Sequence, residues 1–501
     1  MKPVSMIVLL FIITANVLFA QDDYEKWIKK EQESFQKFKD ENDQQFLKFL
    51  EKNWQPAAIK EGISASKPGP KTIPVPDNTK PAATVIIKAE PKKDIPVKEV
   101  PPLKEPVNEL PPVNPEKKPA DDITKPDAKP ASTPPANLLE KNILFFNTPV
   151  TVQYDKKLEF NLSGELSSEK IALFWKTVCE SEYPVLLSRL NITRDSLRIN
   201  DWGFAKLCFA AGLSLFSNPN TAYLFTWFIL TKDGYRIKVG FDKNRVFLLV
   251  PAQQALYGTL YIAQKGEKYY CLNLDNEPQL AASALSTYND DYPGSDKTFS
   301  FAVTRLPVLN KKIEQGKLPY SQNGKDSAVT VEYDASLVKY FENYPYTALP
   351  VYFGAAASPR VAVSMLDRLK ELLAGKSDVE SLCFLLDFVQ HTKEYKTDDE
   401  QFGRQKPLFY EEFLFYRYAD CKDRSIFFSY LVRNLLHLDV IGLDYPDHIA
   451  TAVNLSSTKI QGTYITYNNK QYLLCDPTFI GASIGMCMPN YQNVQPGIIT
   501  F

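Results

Sequence analysis

The chain has 501 residues, more than one ordinary domain organises around a single core, so two or three folded units are expected. Lys and Arg total 58 against 59 Asp and Glu, and a net charge of −1 leaves no global electrostatic attraction for nucleic acid. The 7 cysteines are too few and too scattered for a disulfide scaffold, and their odd number leaves at least one thiol without a partner in the chain.

At the N-terminus Lys2 precedes the apolar run from Ile7 to Ile13, and small residues lead to Ala20 before the polar Gln21-Asp22-Asp23. This order of charge, apolar core and small residues is that of a secretory signal over 1–20, cleaved after Ala20. The apolar core is shorter than the roughly 20 residues a spanning helix needs, and no later stretch is long and apolar enough. No transmembrane anchor is therefore expected after cleavage, and the mature protein is expected to be periplasmic or secreted. Residues 22–54 read as a charged amphipathic helix, with Trp27, Ile28, Phe35, Phe38, Phe46, Phe49 and Leu50 near one face. That face packs on its own chain or on a partner. Over 65–137 the composition changes to clustered prolines with almost no aromatics, which cannot bury a core and predicts a disordered, extended, polyproline-like linker.

Residues 138–335 predict an α+β domain with an antiparallel meander. Helices are expected over Ser167–Glu182 and Asp201–Phe216, the second buried because it is apolar all round. Strands are expected at Phe145–Leu162, Leu224–Leu230, Tyr235–Phe241 and Val246–Pro251, then Gly258–Gln264, Tyr269–Leu274, Phe299–Leu306 and Ala328–Tyr333, several of them separated by turn signals. Cys179, Cys208 and Cys271 stand in apolar settings that suit core residues. No catalytic constellation is visible in this domain, and its role is open.

The last third, 337–501, is organised around Asp420-Cys421-Lys422-Asp423. A helix over Ser358–Ala374 is stopped by Gly375, and Ser377-Asp378-Val379-Glu380 is a capping box opening the next, which runs to His391. After a polar and aromatic loop, Asp420 suits an N-cap, and Ile426, Phe427, Tyr430, Leu431 and Leu435 recur at helical spacing behind it. A thiol at that first turn lies in the positive end of the helix dipole, which favours thiolate. Downstream, short strands are expected at Asp439–Leu443 and Ala450–Leu455, and Asn468-Asn469 joins a hairpin. His448 leads one of those strands and Asp476 ends the hairpin in Asp476-Pro477-Thr478.

A Cys421–His448–Asp476 site has the groups nucleophilic catalysis needs: a thiol, an imidazole to take its proton, and a carboxylate to orient the imidazole. The backbone N–H of Cys421 is the first oxyanion donor, and Tyr418, Gln405 and Gln401 stand unranked as side-chain donors. His437 is about four turns along the Cys421 helix and out of reach, and His391 is read as structural. Cys475 alternates with Asp476 and should face away from it, buried or bridged to Cys487. No cofactor is called for, and a metal is disfavoured because no Cys or His pair has ligand spacing.

These residues, with Tyr472 four positions before Asp476-Pro477-Thr478, resemble the transglutaminase-like superfamily. The resemblance covers about Leu337 to Phe501. It implies a papain-like core, one Cys-bearing helix packed on an antiparallel sheet, with Cys421, His448 and Asp476 as catalytic triad. Two positions depart from it: Ala419 stands where many relatives have Gly, and Tyr472 where Trp is frequent. The implied activity is acyl transfer on a peptide or protein substrate, either crosslinking or hydrolysis of peptide or isopeptide bonds; the signal segment and proline-rich stalk favour hydrolysis, with cell-wall peptide as one substrate. The alternative is a non-catalytic binding or scaffold protein of the cell envelope that keeps the fold.

Overall fold

The computed structural model describes residues 41–62, 69–77, 84–88, 138–162, 164–277, 284–322, 324–455 and 460–501. The expected signal segment and the first part of the expected N-terminal helix lie outside these residues. The described chain is an α+β protein, and no helix in it is long and apolar enough to cross a membrane. It divides into two compact units. The first comprises the described residues up to 62, then Glu140–Lys312 and Asp334–Val351; the second takes the described part of 66–139, then Ile313–Tyr333 and Tyr352–Phe501. The boundary thus differs from one drawn near 336, because the ribbon of Ile313–Gln322 and Lys325–Asp334 belongs almost wholly with the second unit.

In the first unit a helix over 41–50 lays Phe46 against Trp175, Trp227, Tyr288 and Tyr292. The helices Ser168–Cys179, Tyr183–Leu197, Asp201–Phe216 and Pro219–Lys232 accompany a six-stranded sheet that contains Lys238–Phe241, Val246–Pro251, Tyr261–Gln264 and Glu267–Leu272. Leu224–Leu230, expected as a strand, lies inside the helix Pro219–Lys232. Asn218 caps that helix by accepting from Thr221 N, and Pro219 stands at N1. Every residue from Thr221 to Lys232 is buried, so no polar stripe marks the helical period and the local alternation misleads. Phe299–Leu306, also expected as a strand, makes only an isolated bridge from Phe299 to Ala252.

The second unit holds the site. Its sheet is built from β1 (Val85–Lys88), β2 (Val440–Asp444), β3 (Ile449–Val453), β4 (Thr463–Tyr467), β5 (Lys470–Cys475) and β6 (Gly497–Ile499), in the order β6-β2-β3-β5-β4-β1. All pairs are antiparallel except β4 with β1. The Asn468-Asn469 turn has both residues at positive φ, 47° and 60°, which is the two-residue hairpin geometry asparagine tolerates. Strand β1 corrects the expectation of a wholly disordered linker: Val85-Ile86-Ile87 supplies the β-branched residues that the proline-rich surroundings lack, and it adds to the edge of β4. Helices α1 (Asp378–His391) and α2 (Cys421–Leu435) pack together, and α2 packs on β2 and β3. The capping box of Ser377 and Glu380 forms as the sequence predicts.

Candidate active site

Cys421 is the first residue of α2, and Asp420 caps it, its carboxylate accepting from Lys422 N at 2.9 Å and Asp423 N at 3.4 Å. The Asp423 carboxylate answers by accepting from Asp420 N at 3.1 Å and from Leu408 N at 2.8 Å. This reciprocal cap pins the backbone on both sides of the thiol, and the N–H of Cys421 has no acceptor within its own helix.

His448 closes the turn between β2 and β3, where Tyr445 N donates to His448 O at 2.9 Å. In the β3–β5 ladder Thr451 faces Cys475, so continuing the register sets Asp476 opposite Ala450, one diagonal step from His448 on the same face. Asp476 Oδ2 lies 2.8 Å from His448 Nε2. Its Oδ1 accepts from Thr478 N at 2.9 Å and Phe479 N at 3.3 Å, a turn that fixes the carboxylate plane. The strand also explains Cys475, which is fully buried on the other face and is a free thiol, as is Cys487.

With Nε2 committed to Asp476, Nδ1 is buried with no hydrogen bond of normal length and is the nitrogen left for the thiol. Burial by itself drives the imidazolium down, but the charge and hydrogen bond of Asp476, with a looser interaction from Cys421, overcome it and raise the His448 pKa to about 10. The ring stacks on Tyr491 at 5.2 Å between centroids, and Tyr491 Oη donates to Asp447 at 2.9 Å. The structure therefore brings Cys421, His448 and Asp476 together in one place. His437 has positive φ just past the end of α2, and His391 closes α1 with Nδ1 on Asp387.

Several residues that shape the site had no signal of their own in the sequence. Gln390 of α1 gives its amide to the carbonyls of Asp476, Phe479 and Ala482 and takes Gly481 N at 3.0 Å, so one side chain holds the whole Asp476 loop. Arg424, fully buried on α2, donates to Gln390 O at 2.9 Å and Lys393 O at 2.7 Å and lies over the Tyr395 ring. A guanidinium one turn behind the thiol is the one hint available from sequence, since a charge inside an apolar helix must find acceptors if it is buried.

Tyr395 is another of these. A β-carbon built on Gly69 would come within 2.7 Å of Tyr395 Oη and 3.1 Å of Cys421 Sγ, so the hydroxyl and the thiol flank one point. The hydroxyl oxygen is buried without a hydrogen-bond partner, and burial followed by the charges of Cys421 and Asp420 raises its pKa, so it stays a donor. Of the donors expected from sequence, Gln405 is engaged, its Oε1 accepting from Lys422 Nζ at 3.1 Å. Tyr418 lies under Lys396 and Arg417, and Gln401 sits in the short helix Asp398–Phe402.

Behind the thiol Asp398, Asp420 and Asp423 bring carboxylate oxygens within 4.8 Å of one another. A cation is required there, and Lys422 provides it: its buried ammonium pairs with Asp420 and lies 3.2 Å from Asp398. Burial and the neighbouring Asp420 raise the Asp398 pKa to about 7 in spite of Lys422. A carboxyl raised in the folded state holds its proton there and loses it when unfolded, so it stabilises below about pH 4 and that contribution is lost as pH rises through about 7. Chemical denaturation between pH 4 and 8 should show stability of this unit falling with pH, and Asp398→Asn should flatten that slope. An unchanged slope would remove Asp398 from the account.

Comparison with known protein families, with curated proteins and with solved structures finds no match.

Proposed function

We propose that Cys421, His448 and Asp476 form a thiol acyl-transfer centre of transglutaminase-like type, hydrolysing peptide or isopeptide bonds in a protein exported to the periplasm or beyond. The observation that carries this reading is the buried His448, held on Nε2 by Asp476 and charged beside the thiol that opens α2. The Cys421 thiolate attacks the acyl carbon, and the oxyanion takes the backbone N–H of Cys421 and the Tyr395 hydroxyl. The His448 imidazolium gives its proton to the leaving nitrogen as the C–N bond breaks, leaving a thioester. Water then loses a proton to His448, adds to the thioester, and releases a carboxylic acid with the thiol restored. An amine in place of water gives a new amide instead. Gln390 and Arg424 position the loop that bears Asp476 and touch no reacting atom. Substrates from cell-wall peptide fit the proposed location.

The competing reading, a non-catalytic envelope module, draws on one observation: Cys421 is only 1 % exposed. The pH dependence of iodoacetamide alkylation at Cys421, read by peptide mass spectrometry, separates the two. A cover over the thiol slows alkylation alike at every pH and leaves the shape of the profile in place. For the acyl-transfer centre the rate should hold its plateau well below pH 8.5, the ordinary midpoint for a thiol, and His448→Ala should shift the profile to higher pH. A wild-type profile with an ordinary midpoint and no response to His448→Ala would leave only the scaffold reading.

A further inference from the structure

The segment from Gly69 to Lys88 lies where a linker was expected, yet its described residues are seated on the second unit at four places. Gly69 is buried over the thiol, where a β-carbon would meet Tyr395 Oη at 2.7 Å and Cys421 Sγ at 3.1 Å, with Asp420 Oδ2 at 3.8 Å from the same point. Ile73 packs against the core cluster that includes Tyr445, Phe479 and Tyr491. Pro76 lies 3.6 Å from the position of a β-carbon on Gly481, in the loop after Asp476. Strand β1 pairs in parallel with β4, and Lys88 O accepts from Gln495 Nε2 at 2.7 Å.

We propose that the stretch 69–77, with β1 as a further anchor, is a built-in strap that occupies the acyl-donor groove and keeps Cys421 covered until the strap is displaced. The proposal rests on the acyl-transfer reading and names the regulation of that same site. Three features argue that the strap fills the groove and is not part of the wall. Gly69 stands between the nucleophile and the hydroxyl assigned to the oxyanion, which is the volume an acyl carbon must enter. Between and beyond the buried footholds the segment is lightly held: Val75 is 90 % exposed, Ile86 is 57 % exposed, and β1 is an edge strand that can be released without breaking the rest of the sheet. The prolines at 70, 74 and 76 hold this stretch extended and lower the entropy cost of seating it. A substrate competing for the groove would have to be an extended peptide with little or no side chain at the point facing the thiol.

The test uses the full chain and two variants at the first two of these anchors. Gly69→Leu drives a side chain into Tyr395 Oη and Cys421 Sγ, and Ile73→Asp removes the apolar foothold. Cys475, fully buried elsewhere in the fold, reports whether the variants stay folded. In both, Cys421 alkylation should rise about 10-fold or more at every pH, with Cys475 still protected and the profile midpoint unmoved. Unchanged or slower alkylation in a folded variant would overturn the strap. A profile midpoint indifferent to His448→Ala would instead sink the acyl-transfer reading, so the two failures read differently.

Discussion

Asp476→Asn should leave the fold nearly intact and discharge His448. The asparagine carbonyl can keep the Oδ1 bonds from Thr478 N and Phe479 N, which aims its NH2 at His448 Nε2 where a carboxylate oxygen lies 2.8 Å away in the native site. The imidazole must then accept at Nε2, which it can do only when neutral. Burial, which by itself pushes the imidazolium down, is untouched, and the largest opposing influence has gone. The pKa of His448 should fall from about 10 to below the ordinary histidine value of about 6.5, a change to be followed by imidazole nitrogen shifts in NMR. Cys421 alkylation at pH 7 should fall by about 10²-fold, the scale on which a positioned acid–base group acts. A His448 that still titrates near 10 in this variant would show that its charge comes from elsewhere, and the assignment of Asp476 as its partner would be lost.

The second large effect is on stability. Lys422→Met should destabilise the second unit by about 3–5 kcal/mol, the usual cost of removing one partner from a buried charge pair. Methionine fills much of the same volume, so the loss is electrostatic and not a cavity. Burial and the crowding of Asp420 and Asp398 already raise the Asp423 carboxyl well above its ordinary value with Lys422 present. Without the ammonium the trio must take up more protons, so the variant should be least stable at high pH and recover towards pH 4, where carboxyls protonate. Denaturant midpoints across that range decide it. A variant as stable as wild type at pH 8 would mean that the three carboxyls do not need an internal cation.

The strap and the carboxylate cluster bear on how a covered thiol can remain competent. The lysine, the reciprocal cap and the Arg424 bonds fix the start of α2 through contacts that do not involve Gly69. Releasing Gly69 therefore leaves the groups that orient Cys421 and His448 in place. Preorganisation of this kind is what a site needs if opening alone is to switch it on.

The order Cys421, His448, Asp476 could be singled out from sequence because each residue carries a local signal: an N-cap before an apolar helix, a histidine leading an apolar strand, and an Asp-Pro-Thr turn after a hairpin. The hairpin turn, the capping box at Ser377 and the helix Asp201–Phe216 were legible for the same reason, since neighbours within a few residues determine them. The helix Pro219–Lys232 was not, because burial on every side erases the period that distinguishes helix from strand. Gln390, Arg424, Tyr395 and Gly69 became part of the site only in the tertiary structure. Their partners lie far along the chain, Gln390 at 86 to 92 residues from the loop it holds, and no local pattern encodes such a contact. The sequence by itself determined which groups could do chemistry. Only packing decided which of them are charged, which are held, and that a glycine of the proline-rich segment covers the thiol, because burial, hydrogen bonding and steric exclusion depend on what the rest of the fold brings alongside.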